Sequence, residues 1–271
     1  MTEYLTTQQG RRIAYNLTEG QGVPVVFLGG LKSDMEGTKA IFLEDWAETE
    51  GRPFLRFDYS GHGVSSGIFE EGAIGDWFED ASAAIDLLPG KVILVGSSMG
   101  GWQTLLLARE RPEKVAGIVT IAAAPDFTED DMAAKFSEAQ KSEMEKTGFV
   151  ALPSDYGDPY IISRRLIEEG RNRLVLRAPL PLPFPARFLH GTADTTVDIA
   201  QSDALAKALR AAKVSHEYVV VAGAPHTFDL HPKGKSWKRT GLIAGAEVSS
   251  SSPEADITQV TLDFLARTIG K

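Results

Sequence analysis

The sequence predicts an α/β protein with a doubly wound, mostly parallel central sheet, on three observations. Short continuous apolar runs, typical of buried parallel strands, alternate along the chain with segments of helical hydrophobic period. Turns containing glycine or proline separate these elements. One apolar run ends in a Gly-x-Ser-x-Gly motif and is followed at once by a helical pattern. Sheets of this kind place their chemistry at the carboxyl ends of the strands.

Length and composition limit the class of protein. A chain of 271 residues fits one large α/β domain with an insertion better than two independent domains. The net charge of −9 argues against nucleic acid as a partner, because phosphate binding needs a basic face. The absence of cysteine excludes disulfides, thiolate metal sites and a cysteine nucleophile, and nothing in the sequence implies a metal or cofactor. No apolar run reaches the ~20 residues of a membrane helix, and residues 1–12 are polar, so we expect a cytoplasmic protein with no membrane span.

The first part of the chain repeats a unit of strand, loop and helix. We predict an edge strand at residues 11–16 and buried strands at residues 23–28, 53–59, 92–95 and 115–121. Helical spacing of apolar residues predicts helices at about residues 40–47, 74–88 and 102–110.

From residue 126 to residue 183 this alternation stops. The segment indicates charge-rich helices at residues 127–146 and about 158–170, which we interpret as a helical cap inserted into a core of residues 1–125 and 184–271. Further strands at residues 186–190 and 216–221 and helices at residues 199–212 and 253–269 complete the predicted core. Residues 229–252 form a long polar loop that fits either a small hairpin or a flap.

Ser98 is the predicted nucleophile. It is the central serine of the Gly-x-Ser-x-Gly motif, with a strand before it and a helix after it, so it lies on a sharp strand-to-helix turn. Gly96 and Gly100 leave room for the strained backbone of such a turn. The motif in this context predicts a serine hydrolase.

A serine hydroxyl needs a histidine to accept its proton and a carboxylate to hold that histidine in the right tautomer. When the order along the chain is Ser, Asp, His, the histidine lies after the last core strand, which selects His226, with His231 behind it. Asp194 follows the preceding strand and is the predicted acid, whereas we expect Asp198 to cap the next helix.

The other histidines are predicted to be structural. We expect His190 to order the Asp194 loop by a buried hydrogen bond, His62 to brace the loop after its strand, and His216 to be solvated.

Two backbone N–H groups are needed to stabilise an oxyanion. Met99 provides one, because it follows the nucleophile. We assign the second to Leu31, which follows two glycines after the strand at residues 23–28, and Lys32 is the alternative one residue later.

Five segments of the chain match the pattern of a known enzyme family: Gly30-Leu31-Lys32-Ser33-Asp34-Met35-Glu36-Gly37-Thr38-Lys39-Ala40, Arg56-Phe57-Asp58-Tyr59-Ser60-Gly61, Val95-Gly96-Ser97-Ser98-Met99-Gly100-Gly101-Trp102, Arg111-Pro112-Glu113-Lys114-Val115 and His190-Gly191. In these segments the chain resembles the α/β-hydrolase superfamily, and within it the branch of mitochondrial acyl-protein thioesterases and acyl-glucuronide esterases. The resemblance implies an α/β-hydrolase fold and covers about residues 23–197. It weakens around Gly223-Ala224-Pro225-His226, where that branch has a charged Asp-His pair.

The sequence therefore predicts a hydrolase that cleaves small-molecule carboxylic esters or thioesters through an acyl-enzyme on Ser98. Three alternatives stay open: a peptidase or amidase with the same triad, another activity of the same fold such as C–C bond cleavage, and a non-catalytic binding protein of that fold. The oligomeric state is left open. Five arginines of the predicted cap fit either a solvated helix face or a basic mouth for an acidic substrate: Arg164, Arg165, Arg171, Arg173 and Arg177.

Overall fold

A computed structural model describes residues 1–154, 158–226 and 238–242 of the chain. Two sheets contain the strands β1 (Glu3–Thr6), β2 (Arg12–Thr18), β3 (Val25–Leu28), β4 (Phe54–Phe57), β5 (Val92–Ser97), β6 (Val115–Ile121), β7 (Phe149–Leu152), β8 (Tyr160–Ser163), β9 (Ala186–Gly191), β10 (His216–Ala222) and β11 (Lys238–Leu242). The helices are α1 (Thr38–Thr49), α2 (Ile74–Asp86), α3 (Met99–Glu110), α4 (Glu138–Thr147), α5 (Arg164–Gly170) and α6 (Ala200–Ala211).

The main sheet has the strand order β1-β2-β4-β3-β5-β6-β9-β10-β11. The six strands from β4 to β10 in this order run parallel, while β1, β2 and β11 pair antiparallel to their neighbours. This confirms the predicted mostly parallel sheet. The prediction of an edge strand at residues 11–16 was wrong, because β1 pairs with β2 on its outer side and occupies the edge.

Two hydrophobic cores lie on opposite faces of the main sheet. Alternate residues of β3 show this directly: Val25 and Phe27 pack with α1, whereas Val26 and Leu28 pack on the face that holds α2, α3 and α6. The buried strands thus need apolar side chains at every position, and their sequences are continuous apolar runs for that reason.

Residues 126–183, predicted as a cap and referred to below as the inserted segment, lie between β6 and β9. They contain a π-helical turn (Thr128–Ala133), α4, the antiparallel pair of β7 and β8, and α5. The prediction of helices alone was wrong here, since β8 occupies the start of the span predicted as helix at residues 158–170. An apolar run of four residues is too short to distinguish the period of a strand from that of a helix. Pairing with another strand then decides its conformation.

The part of the chain that the structure describes contains no helix long and apolar enough to cross a membrane. Within the loop predicted at residues 229–252, β11 pairs with β10. The rest of that loop, His231 and the helix predicted at residues 253–269 lie outside the described residues.

Candidate active site

Ser98 lies on the turn between β5 and α3 with φ 55° and ψ −120°, a conformation that side-chain-bearing residues rarely adopt. Three backbone hydrogen bonds hold it there. Its N–H donates to the carbonyl of Ile121 (3.0 Å), and its own carbonyl accepts from the N–H groups of Gly101 (2.9 Å) and Ala124 (3.1 Å). The turn is therefore fixed to β6 and to the residues that follow it.

The two motif glycines have the steric function that the sequence predicts. A Cβ on Gly96 would lie 2.2 Å from the carbonyl oxygen of Gly100, within the turn itself. A Cβ on Gly100 would lie 2.0 Å from the carbonyl oxygen of Leu28, in β3. Both contacts are to backbone, so neither can be relieved by a side-chain rotation.

The structure brings the predicted nucleophile, base and acid together. His226 Nε2 lies 3.2 Å from Ser98 Oγ, and His226 Nδ1 lies 2.8 Å from Asp194 Oδ2. The Asp194 carboxylate is fully buried, whereas the His226 side chain is 14% exposed. The geometry allows His226 to accept a proton from Ser98 while its other nitrogen donates to Asp194.

The Asp194 carboxylate is held from both sides. Its Oδ1 accepts hydrogen bonds from the N–H groups of Thr196 (2.9 Å) and Val197 (2.8 Å), and His190 Nε2 lies 3.2 Å from Oδ2. Burial acts to raise the pKa of Asp194, but the hydrogen bonds from His190, His226 and Val197 outweigh it and lower the pKa below the ordinary value. Asp194 is thus a carboxylate throughout the neutral range.

The predictions for the remaining polar residues have mixed outcomes. His190 is fully buried and contacts Asp194, as predicted. The N-cap residue of α6 is Ile199 rather than Asp198, whose carboxylate accepts a hydrogen bond from the N–H of Ala200. His62 is buried, and its Nδ1 lies 3.1 Å from the carbonyl oxygen of Ser60. The prediction that His216 is solvated was wrong: its ring is half-buried and stacks on Phe188.

Met99 and Leu31, the predicted oxyanion donors, both line the cavity that contains Ser98 and His226. Met99 is the first residue of α3, where N–H groups have no intrahelical partner and the helix dipole favours negative charge. Leu31 lies in a turn closed by a hydrogen bond from Ser33 N–H to the carbonyl of Gly30 (3.2 Å). Lys32, the alternative donor, lies in the same turn at φ 59° and also lines the cavity.

Buried charges that the sequence analysis did not single out fix the far end of that loop. Asp58, buried at the end of β4, accepts hydrogen bonds from the N–H groups of Met35 (2.6 Å) and Val64 (2.9 Å). Arg56 donates to the carbonyl of Met35 (3.0 Å) and to Glu44 (2.8 Å). The sequence does contain a signal for these contacts, because a charged residue in a buried strand, such as Arg56, requires a hydrogen-bonding or ionic partner.

The cavity has a volume of about 630 Å³, within the usual range for small-molecule sites. Much of its wall away from Ser98 consists of apolar and aromatic side chains of the inserted segment: Phe127, Met132, Phe136, Leu152, Pro153 and Tyr160. Lys32, Lys39 and Lys135 also line it; the Lys32 ammonium lies 5.0 Å from the centre of the Phe69 ring, and Lys135 pairs with Asp131. Within the described residues, no group of three or more His, Asp or Glu side chains could hold a metal ion.

None of the five arginines of the inserted segment is among the described residues that line the cavity. Each is bound elsewhere: Arg164 to the carbonyls of Met144 and Glu145, Arg165 to Asp76, Arg171 to Glu129, Arg173 to Glu169, and Arg177 to Asp126 and Asp130. The structure favours a structural role for them over a basic mouth.

A family model described as "Alpha/beta hydrolase family" matches residues 38–234. The chain belongs to the α/β-hydrolase family. It is 38% identical over 191 residues to the human "Palmitoyl-protein thioesterase ABHD10, mitochondrial", an alignment that spans 68% of this chain and 61% of that protein. The chain thus covers less than two thirds of the length of that relative.

Two solved structures extend the likeness to more than four fifths of the chain. One is a crystal structure of a protein from Agrobacterium vitis S4, described as a hydrolase, with a TM-score of 0.80 and 37% identity over 86% of this chain and 94% of that chain. The other is "Alpha/beta hydrolase domain-containing protein 10 from mouse", with a TM-score of 0.74 and 31% identity over 83% and 90% of the two chains.

These comparisons confirm the predicted α/β-hydrolase fold and the family resemblance. They contradict the predicted cytoplasmic location, since the mammalian relatives that are 37–38% identical are named as mitochondrial proteins.

Proposed function

We propose that the chain is a serine hydrolase that cleaves carboxylic esters or thioesters through an acyl-enzyme on Ser98. The observation that carries this proposal is the continuous contact from Ser98 Oγ through the His226 ring to the buried Asp194 carboxylate, beside a cavity. The relatives named as thioesterases give independent support.

In the first step, His226 Nε2 accepts the Ser98 proton while Oγ attacks the carbonyl carbon of the substrate. The negative charge that develops on the carbonyl oxygen is stabilised by the N–H groups of Met99 and Leu31. Asp194 stabilises the imidazolium that forms, because its depressed pKa keeps it ionised.

In the second step, the tetrahedral intermediate collapses and the protonated His226 donates its proton to the leaving group. A thiolate needs little help, since a thiol has an ordinary pKa of ~8.5, whereas an amide nitrogen must be protonated before it leaves. Water, deprotonated by His226, then attacks the acyl-enzyme and releases the carboxylic acid and Ser98.

We assign the acyl group to the apolar wall of the cavity. Phe127, Met132 and Phe136 line the cavity from the inserted segment, and each buried methylene contributes ~0.8 kcal/mol. The human relative is named a palmitoyl-protein thioesterase, which supports a long acyl chain at this wall.

The experiment is a kcat/KM series over p-nitrophenyl esters, thioesters and matched amides of increasing acyl length. We expect esters and thioesters to be turned over and amides not, with kcat/KM rising by up to about fourfold per methylene until the wall is filled. Ser98→Ala should abolish the turnover.

Phe136→Ala should flatten the dependence on acyl length, because it removes part of the wall. Phe149→Ala is the matched control: Phe149 belongs to the inserted segment but is exposed and is not among the described residues that line the cavity. Faster cleavage of the amides would establish a peptidase or amidase instead. Failure of the folded protein to cleave any of the three classes would point to a binding protein.

A further inference from the structure

A second histidine contacts the carboxylate of the triad. His190 is fully buried in β9, and its Nε2 lies 3.2 Å from Asp194 Oδ2, the same oxygen that lies 2.8 Å from His226 Nδ1. The other ring nitrogen, Nδ1, lies 2.7 Å from the hydroxyl of Ser202, which is buried in α6. The mechanism proposed above makes no use of His190.

The surroundings of the ring determine where its proton lies. His190 Nε2 faces two groups that can only accept, the Asp194 carboxylate and the carbonyl of Val197 (3.0 Å). This nitrogen must therefore carry a hydrogen. The Ser202 hydroxyl can donate to Nδ1, so these contacts favour the Nε2–H tautomer of His190.

Among the described residues, the elements packed against His190 contribute no buried charged side chain besides Asp194. β6 contains no titratable residue, and the loop after β9 adds Asp198, which is exposed. Burial raises the pKa of Tyr218, so that phenol stays neutral. The remaining titratable residues of α6 and β10 are exposed or half-buried: Asp203, Lys207, Arg210, His216 and Glu217.

We propose that His190 is a positioning residue of the triad. Its Nε2–H donates to Asp194 and orients the carboxylate towards His226. The same hydrogen bond reduces the negative charge density on the carboxylate oxygen that contacts His226. This inference rests on the proposed function of Ser98, His226 and Asp194. His190 does not itself exchange protons with the substrate, because its ring is fully buried behind Asp194 and is not among the described residues lining the cavity.

Removal of the hydrogen-bond donor of His190 should change the proton affinity of His226 in one direction only. When the donor from His190 is removed, Asp194 retains more negative charge and stabilises the imidazolium form of His226 more strongly. A histidine that must be neutral to act as base then requires a higher pH. The acidic limb of the kcat/KM profile should consequently move to higher pH, by about half a unit.

The kinetic test uses three variants. His190→Phe keeps a ring but has no donor. We expect the shifted limb together with a loss of about tenfold in kcat, because the Asp194 carboxylate is no longer held in its orientation towards His226. His190→Gln can place an amide N–H near the position of Nε2, and should restore the limb towards the wild-type position. Ser202→Ala leaves His190 in place but removes the donor that fixes its tautomer, and should give an intermediate shift.

A second measurement does not depend on turnover. In Ser98→Ala protein labelled with ¹⁵N-histidine, the nitrogen shifts of His190 should identify the neutral Nε2–H tautomer, and the His226 Nδ1–H resonance should move when His190→Phe is added. If His190 is found as the Nδ1–H tautomer, or if folded His190→Phe leaves both this resonance and the acidic limb unmoved, the positioning role is excluded. If the folded wild-type protein turns over none of the substrates, the proposed function is refuted, whereas the nitrogen shifts still show whether His190 donates to Asp194.

Discussion

The carbonyl oxygen of Leu28 lies 2.0 Å from the point where a Cβ on Gly100 would stand. The end of β3 and the first turn of α3 therefore touch backbone to backbone. A Cβ on Gly30 would likewise come within 3.3 Å of the Ser98 Cβ. This close approach places the Leu31 loop beside Met99, so the two predicted oxyanion donors depend on glycine at these positions.

Gly100→Ala should consequently damage both folding and activity. The added methyl group meets backbone that cannot rotate away, so the variant should lose about 2 kcal/mol or more of unfolding free energy. Displacement of the loop by as little as ~1 Å should reduce kcat about a hundredfold. Chemical denaturation and ester kinetics measure the two effects.

Gly37→Ala is the control for that substitution. Gly37 has φ −61°, which alanine adopts freely, and an added Cβ would meet its nearest neighbour, the Asp34 carbonyl oxygen, at an ordinary 3.5 Å. Gly37→Ala should lower the free energy of unfolding by less than about 1 kcal/mol. Equal damage from both alanines would show that the contact with Leu28 is unimportant.

Asp194→Asn should reduce kcat on the order of 10⁴-fold, because an amide N–H in place of the carboxylate favours the wrong tautomer of His226. Asp198→Asn provides the comparison. Asp198 is four residues away and exposed, and among the described hydrogen bonds its carboxylate accepts only from the Ala200 N–H. That variant should keep its kcat. Steady-state kinetics measure kcat for both variants. A similar loss of kcat in Asp194→Asn and Asp198→Asn would show that Asp194 does not have its proposed role.

The sequence was sufficient for the parts of the fold whose signal is local. Continuous apolar runs revealed the buried strands, such as β6, and the glycine–serine motif located the turn at Ser98. Chain order then selected Asp194 and His226, which the structure brings into contact.

What the sequence could not predict depends on distant contacts. β1 is almost entirely exposed and lacks a hydrophobic pattern, so only its pairing with β2 defines it. The partner of Arg165 is Asp76, 89 residues away, and no local pattern connects them. The second histidine at Asp194 was predicted as a loop-ordering residue, but its contact with the same oxygen as His226 required coordinates.

Stability should fall as the pH drops from 7 to 5, in part through His62. Burial lowers the pKa of His62 from 6.5 to about 4, so the unfolded chain binds a proton in this range that the folded chain does not. The contribution is fully present above pH ~6.5 and is lost progressively towards pH 4. Between pH 7 and pH 5, the free energy of unfolding of His62→Phe should therefore fall by about 2 kcal/mol less than that of the wild type, as measured by urea denaturation.

Phe69→Leu tests whether packing alone explains this result. The Phe69 ring lies 5.4 Å from the His62 ring but does not titrate. The Phe69→Leu substitution should lower the free energy of unfolding by a similar amount at pH 7 and at pH 5. If His62→Phe keeps the full pH dependence of the wild type, His62 is not the group responsible.

Arg165→Gln should change stability slightly and substrate preference not at all. Arg165 pairs with Asp76 of α2 and is half-exposed, so the loss should stay below about 1 kcal/mol. The ratio of KM for an anionic ester to KM for a matched neutral ester should equal that of the wild type and of Arg171→Gln, whose arginine pairs within the inserted segment. A selective rise of KM for the anionic ester in Arg165→Gln would restore the basic-mouth interpretation.

The most direct test of the central claim is covalent labelling with a fluorophosphonate probe, followed by peptide mass spectrometry. The activated hydroxyl should react in the wild-type protein and in Ser97→Ala, whose serine also lines the cavity but has no contact with His226 among the described hydrogen bonds. The adduct should map to Ser98 and be absent in Ser98→Ala. Labelling that persists in folded Ser98→Ala, or no labelling of the folded wild type, would contradict Ser98 as the nucleophile.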